Sequence, residues 1–239
     1  MNPGRRHGNT QIPLNYIWRV LILLMAPVPA ALACTSSGTS ILCNDAVTLL
    51  PPHTNTVNSN VNGASVLVTS SGQSSSALVG PSITLTGRNT SLTNQGTVDP
   101  GLGLGALVSL GATGAAMGSL TNSGTVSVTN SGTLLGTGLS VLGLPLLSTL
   151  NGASMVLQGD ANGSITVNNT GTIGIRPGLL SGPTAIYSTP AIAAYGGAPI
   201  SVTNAAGGVI NGRVGLGRSA TGNTLSLIHI SEPTRLLSI

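Results

Sequence analysis

Few side chains in this chain of 239 residues could do covalent or metal chemistry. The histidines are His7, His53 and His229, and the acids are Asp45, Asp99, Asp160 and Glu232. A Ser-His-Asp hydrolase needs a histidine base within reach of its nucleophile. His53 follows Pro51-Pro52 with Asp45 close by in sequence, but no Gly-x-Ser-x-Gly elbow accompanies them. The residue reads as a turn histidine. Glycoside cleavage needs two carboxylates flanking one bond, and the spacing of Asp45, Asp99 and Asp160 brings no two together. Asp160-Ala161-Asn162-Gly163 has the opening of a calcium loop without its bidentate Glu, so it is expected as a β-turn. The run at residues 101–105, GLGLG, lacks the helix-opening spacing and acidic residue of a dinucleotide fingerprint. The sequence therefore predicts no enzyme: no catalytic residue, no cofactor and no metal.

Cys34 and Cys43 are the only cysteines. A lone close pair in an exported chain reads as a disulfide, contributing about 2–3 kcal/mol through loop-closure entropy. Structural zinc wants four ligands, and only His53 lies near to join the two thiols.

The export reading comes from the N-terminus. Arg5, Arg6 and Arg19 make a basic leader, residues 20–25 (VLILLM) are apolar, and Pro27 and Pro29 break the run. Ala31-Leu32-Ala33 is a small-x-small cleavage site immediately before Cys34. The apolar run falls short of the roughly twenty residues a membrane span needs, which argues against a retained anchor. Leu32 stands where a lipoprotein signal wants a small residue. The mature N-terminus is expected at Cys34.

The formal charge of +4 does not mark a nucleic-acid binder. Between Cys34 and Thr224, Arg88, Arg176, Arg213 and Arg218 stand against Asp45, Asp99 and Asp160, which leaves +1. None of these cations cluster, and phosphate neutralisation requires clustering. With 5% charged residues, no Phe and no Lys, neither a helical enzyme nor a coiled coil can solvate its faces. At 41% hydrophobic residues and a mean hydropathy of +0.40, disorder driven by charge is excluded as well. What remains is a β-rich chain with small polar turn residues, 34 of them Gly.

One unit recurs: Asn-x-Gly-Thr-aliphatic. It appears at Asn94 and Gly96, Asn122 and Gly124, Asn130 and Gly132, and Asn169 and Gly171, with a degenerate copy from Asn204 to Val209. Asn and Gly tolerate left-handed backbone angles, so each unit predicts a tight bend, and the Thr-aliphatic pair starts a strand. Ser82-Ile83-Thr84-Leu85-Thr86, Val126-Ser127-Val128-Thr129 and Ile165-Thr166-Val167-Asn168 alternate with period two, giving one apolar and one polar face. Strands this short cannot bury a face alone; stacking them builds one aliphatic core and places Asn over Asn. The fold expected is all-β, a right-handed parallel β-helix after a cleaved signal peptide, with a β-sandwich as the alternative. About twenty residues per coil predict roughly nine coils and a length on the order of 40 Å. Two Gly-rich apolar stretches, residues 101–118 and 134–150, interrupt the repeat and are expected as loops laid along the rod, with buried strands or membrane-seeking segments as the other readings.

Residues 225–235, LSLIHISEPTR, depart abruptly from this texture and resemble the conceptual translation of a transposase-based sequencing-library adapter. Ser226, His229 and Glu232 are accordingly kept out of the functional reading. The division expected is a signal peptide at 1–33, a disulfide-stapled cap at 34–50, repeats at 51–224, and adapter-derived residues at 225–239.

The cleavage site, the CTSSGTSILC start from Cys34 to Cys43, and the Asn-x-Gly-Thr repeats together resemble the passenger region of bacterial autotransporters. The resemblance covers most of Cys34 to Thr224. It implies a passenger shown on or released from the surface of a Gram-negative cell, ahead of an outer-membrane barrel. The barrel would show alternating segments of about ten residues with aromatic girdles, whereas after Cys34 the only aromatics are Tyr187 and Tyr195. The partners implied are the outer-membrane translocation machinery and a host or cell-surface ligand, with the chain itself a monomer and no nucleic acid. A β-helix exported by a separate partner transporter and a fragment of a secreted hydrolase are the alternatives.

Overall fold

Alternating aliphatic and small polar residues set the local structure throughout: short strands, each too narrow to bury its apolar side alone. A computed structural model of the chain describes residues 34–44, 55–76, 81–100, 108–110, 113–121, 124–137, 139–141, 144–145, 152–175, 189–217 and 222–227. All of them fall in one unit, Leu32–Ile239, of the two into which the chain divides.

β1 (Cys34–Ser37) and β2 (Ser40–Cys43) form a hairpin with Cys34 opposite Cys43. Then β3 (Val57–Ser59), β4 (Ser65–Val68) and β5 (Gln73–Ser75) enter three different sheets. The same rotation repeats in β6 (Ile83–Leu85), β7 (Thr90–Asn94) and β8 (Thr97–Asp99). After β9 (Val108–Leu110) it repeats in β10 (Ala115–Gly118), β11 (Thr125–Asn130) and β12 (Thr133–Gly136). After β13 (Leu139–Val141) and β14 (Leu144–Pro145) it repeats in β15 (Met155–Gln158), β16 (Ser164–Asn169) and β17 (Thr172–Ile175). Next come β18 (Pro190–Tyr195), β19 (Ile200–Asn204) and β20 (Val209–Asn211), then β21 (Arg213–Leu216) and β22 (Thr224–Leu227).

Each strand pairs with the strand one rotation later. The result is an eight-stranded sheet, β1-β2-β4-β7-β11-β16-β19-β22, a six-stranded sheet, β21-β18-β15-β10-β6-β3, and a five-stranded sheet, β20-β17-β12-β8-β5. Every pair in these sheets is parallel except the β1–β2 hairpin. The protein is all-β with parallel sheets, and no helix occurs among the described residues. A sandwich of antiparallel hairpins would pair strands the other way.

In-register stacking makes the core a set of columns. Val66, Leu92, Val128, Val167 and Val202 form one in the eight-stranded sheet; Ile83, Ala115, Met155 and Ile192 form one in the six-stranded sheet; Val98, Leu134 and Ile173 form one in the five-stranded sheet. All of these side chains are buried in one cluster.

Two expectations are corrected here. The chain returns to a neighbouring position after 26 residues from Ser65 to Ser91 and after 36, 39 and 35 residues from Asn94 through Asn130 and Asn169 to Asn204, not after about twenty. Three strands per rotation plus insertions account for the excess. The Gly-rich apolar stretches are not simply loops. They contribute β10 and β12 to the parallel sheets, and β13 pairs antiparallel with β9 and β14 in a separate three-stranded sheet. At the far edge of the eight-stranded sheet, β22 pairs with β19 through Leu227.

Candidate functional site

The Asn-x-Gly-Thr-aliphatic unit sits where a strand of the eight-stranded sheet hands over to one of the five-stranded sheet. Asn94, Asn130 and Asn169 end β7, β11 and β16, and Asn204 ends β19; all four are stacked in register and buried. Their side chains form a hydrogen-bonded ladder of one direction. Asn94 Nδ2 donates to Asn130 Oδ1 at 2.7 Å, Asn130 Nδ2 to Asn169 Oδ1 at 2.7 Å, and Asn169 Nδ2 to Asn204 Oδ1 at 2.6 Å. Each amide also meets backbone carbonyls, Asn130 reaching Thr172 O at 3.2 Å and Asn169 reaching Gly171 O at 3.1 Å. An amide has two donors and one carbonyl oxygen, so an inner rung spends its groups on the rungs beside it and on the turn. That satisfies a polar side chain which burial would otherwise penalise.

The ladder is bounded in the same column. Val68 stands before Asn94 and Leu227 after Asn204. Asn204 Nδ2 turns to Gly208 O at 2.8 Å, whereas Asn94 Oδ1 is buried with no partner.

The glycines of the unit work differently from expectation. None of Gly96, Gly132 and Gly171 has a left-handed φ. Close approach selects them. A Cβ on Gly132 would lie 2.2 Å from Gly96 O, one on Gly171 2.2 Å from Gly132 O, and one on Gly96 2.2 Å from Gly72 O. Those same carbonyls accept the N–H of the threonine in the next layer: Thr97 to Gly72 O at 3.1 Å, Thr133 to Gly96 O at 2.8 Å and Thr172 to Gly132 O at 2.8 Å. Positive glycine φ occurs instead in the degenerate copy, Gly207 at 84°, and in the copy at Gly124, at 156°.

The copy at Asn122 and Gly124 is not equivalent to the others. Its Thr125-Val126 opens β11 in the eight-stranded sheet, whereas Thr97, Thr133 and Thr172 open strands of the five-stranded sheet. Gly124 instead stacks under Gly163, whose Cβ would lie 2.4 Å from Gly124 O. Asn122 itself lies outside the described residues.

At the other end of the column, Cys34 and Cys43 are disulfide-bonded across the β1–β2 hairpin. Cys43 is buried and shares its register position with Val68, so the bond fixes β1 against the first layer of the core. Residues 45–50 of the expected cap, Ala31 and Ala33 of the cleavage site, and Asp45, His53, His229 and Glu232 lie outside the described residues. Asp99 ends β8, while Asp160 lies in the turn after β15, where its Oδ1 accepts the Asn162 N–H at 3.0 Å. The expected β-turn is what forms there. Among the described residues no three His, Cys, Asp or Glu side chains gather to hold a metal.

The outward side of the eight-stranded sheet carries the clearest surface pattern. One column runs Ser40, Ser65, Ser91, Ser127, Thr166, Ser201, Thr224; two residues along, a second runs Leu42, Leu67, Thr93, Thr129, Asn168, Thr203. Ser91 Oγ donates to Ser65 Oγ at 2.9 Å. Parallel strands set these groups about 4.8 Å apart along a column and the columns about 6.6 Å apart. Apart from Leu42, Leu67 and Asn168 the columns are hydroxyl-bearing, and they are uncharged throughout. Alternation within each strand was legible in the sequence; which strands become neighbours, and hence the columns, was not. Comparison with known proteins finds no family model, no curated protein and no solved structure that matches the chain.

Proposed function

We propose that the chain is the passenger region of a bacterial autotransporter, wound as a right-handed parallel β-helix and acting as an adhesin-like surface without covalent chemistry. The winding is supported by the strict rotation of strands through three sheets, each pairing parallel one rotation later. The hand follows the rule that parallel crossovers are right-handed. Export is supported by the basic leader, the apolar run and the Ala31-Leu32-Ala33 site. The outer-membrane translocation machinery is then the export partner, and the cell surface or its surroundings the destination.

The observation that carries the binding role is the pair of uncharged, mostly hydroxyl-bearing columns on the eight-stranded sheet. Such a face offers repeated donors and acceptors to a host or cell-surface ligand. The test is adhesion of cells displaying the chain, compared with cells displaying Ser127→Glu, which puts a charge amid the columns. Adhesion by the parent that falls at least severalfold in the variant, with unchanged circular dichroism, supports the role. Equal adhesion by both overturns it. Recovery of the protein only from the cytoplasm, with residues 1–33 still attached, overturns the passenger reading itself.

A further inference from the structure

We infer that Asn211 is a site of spontaneous deamidation, an inference independent of the binding role proposed above. In this reaction the backbone nitrogen of the following residue attacks the asparagine Cγ and closes a succinimide. The side-chain amide leaves as ammonia, carrying the proton lost from that nitrogen. Water then adds to one ring carbonyl and opens the ring to aspartate or isoaspartate, so solvent is the only co-reactant. Glycine in the following position leaves the nitrogen unhindered.

The chain has four Asn-Gly steps, at Asn62, Asn151, Asn162 and Asn211, and Asn151 lies outside the described residues. The fold treats the other three differently. The Gly63 N–H donates to Arg88 O at 2.7 Å, and Asn62 Oδ1 is itself held by the Arg88 N–H at 2.8 Å. The Gly163 N–H donates to Asp160 O at 3.1 Å. Each bond must break before the nitrogen can attack. Gly212 is placed otherwise. β20 is the edge strand of its sheet, and its Val209 N–H donates to Gly171 O in β17's layer at 2.8 Å. Strand alternation then aims the N–H groups of Ile210 and Gly212 at the open edge. Among the described residues nothing accepts the Gly212 N–H and nothing bonds the exposed side-chain amide of Asn211. Both reacting groups are therefore free at this one step. Its product places a carboxylate beside Arg213 at the bend into β21, and the isoaspartate form adds a backbone methylene there.

The purified chain, incubated at mildly alkaline pH and mapped by peptide mass spectrometry with an isoaspartate assay, tests this. The free step is expected to convert about tenfold faster than Asn62 and Asn162, the difference one retained hydrogen bond makes. In strong denaturant the three rates should converge. Equal or slower conversion at Asn211 in the folded protein overturns the inference. So does an undiminished lead in denaturant, because the preference would then not come from the fold. Asn211→Gln should remove the leading isoaspartate signal with circular dichroism unchanged; persistence of that signal places the site elsewhere.

Discussion

At the scale of single residues, burial and partners decide which polar groups the core accepts. Asn130 has both neighbours in the ladder, so Asn130→Ala leaves Asn169 Oδ1 without its donor and leaves Asn94 Nδ2 only Thr133 O as acceptor. Orphaning buried polar groups predicts a loss of about 3 kcal/mol in denaturant unfolding. A loss near zero would mean the ladder is incidental. Thr90 is the opposite case. Its Oγ1 is buried without a partner, and its register neighbour in β11 is Val126. Thr90→Val keeps the shape and removes the orphan, which predicts a gain of about 1 kcal/mol and a raised unfolding midpoint; a lowered midpoint would show that the hydroxyl is satisfied after all. The sequence made the ladder legible at Asn94, Asn130 and Asn169, because the unit around them repeats. It left Asn204 a degenerate copy, since two alanines and a second glycine blur the motif while the side chain still fills the next rung. The glycine role was misread for a physical reason: a spacing pattern shows that a Cβ is absent but not whether backbone angle or a facing carbonyl excludes it. Gly132→Ala separates the two. With Gly96 O 2.2 Å from the added carbon, overpacking predicts a loss of about 1–3 kcal/mol, whereas a simple bend would tolerate alanine.

Among elements, the β1–β2 hairpin differs from everything it joins. It is the only antiparallel pair in the eight-stranded sheet, it lies at the sheet's edge, and its exposed Thr35, Ser36 and Ser37 face solvent. An edge strand otherwise presents unpaired backbone groups to other chains, and a short polar strand blunts that liability. The bond between Cys34 and Cys43 closes a separation of 9 residues. Replacing both cysteines with alanine should cost about 2–3 kcal/mol. The loss should be local, read by hydrogen exchange as lost protection in residues 34–44 with β11 and β16 unchanged. Protection lost throughout β11 and β16 would show instead that the hairpin holds the whole stack. The disulfide was legible because cysteine pairing is a short-range inference; the hairpin it spans was not read from the sequence. The pairing of β9 with β13 was not, since a Gly-rich apolar run carries no period and its partner lies in a different insertion. The Asn122 copy shows the same limit. Its residues match the unit at Asn130, yet they begin a strand in another sheet, because identical local patterns serve handovers into different sheets.

For the whole molecule, stability and speed follow from contacts that are almost all between rotations. A strand of the eight-stranded sheet meets its partner only after the chain has passed through two other sheets, 36 residues from Asn94 to Asn130 and 39 from there to Asn169. No helix relieves this among the described residues, and the β1–β2 hairpin is the one short-range pair in the parallel sheets. Each rotation must therefore close a long loop before its columns contribute anything, and the reward comes only when a neighbouring rotation is already in place. Such a topology predicts slow refolding, in the millisecond-to-second range or beyond, despite a core made of simple aliphatic columns. Far-ultraviolet circular dichroism of residues 34–224 should show strong β signal with little helix, and stopped-flow recovery of that signal after dilution from denaturant gives the rate. Recovery within microseconds would mean that structure forms locally, which the register of these sheets does not allow. The same measurement on Asn130→Ala tells where assembly begins. If β11 and its neighbours nucleate the stack, the variant slows refolding; if the ladder closes only after the sheets have met, it refolds at the parent rate and unfolds faster.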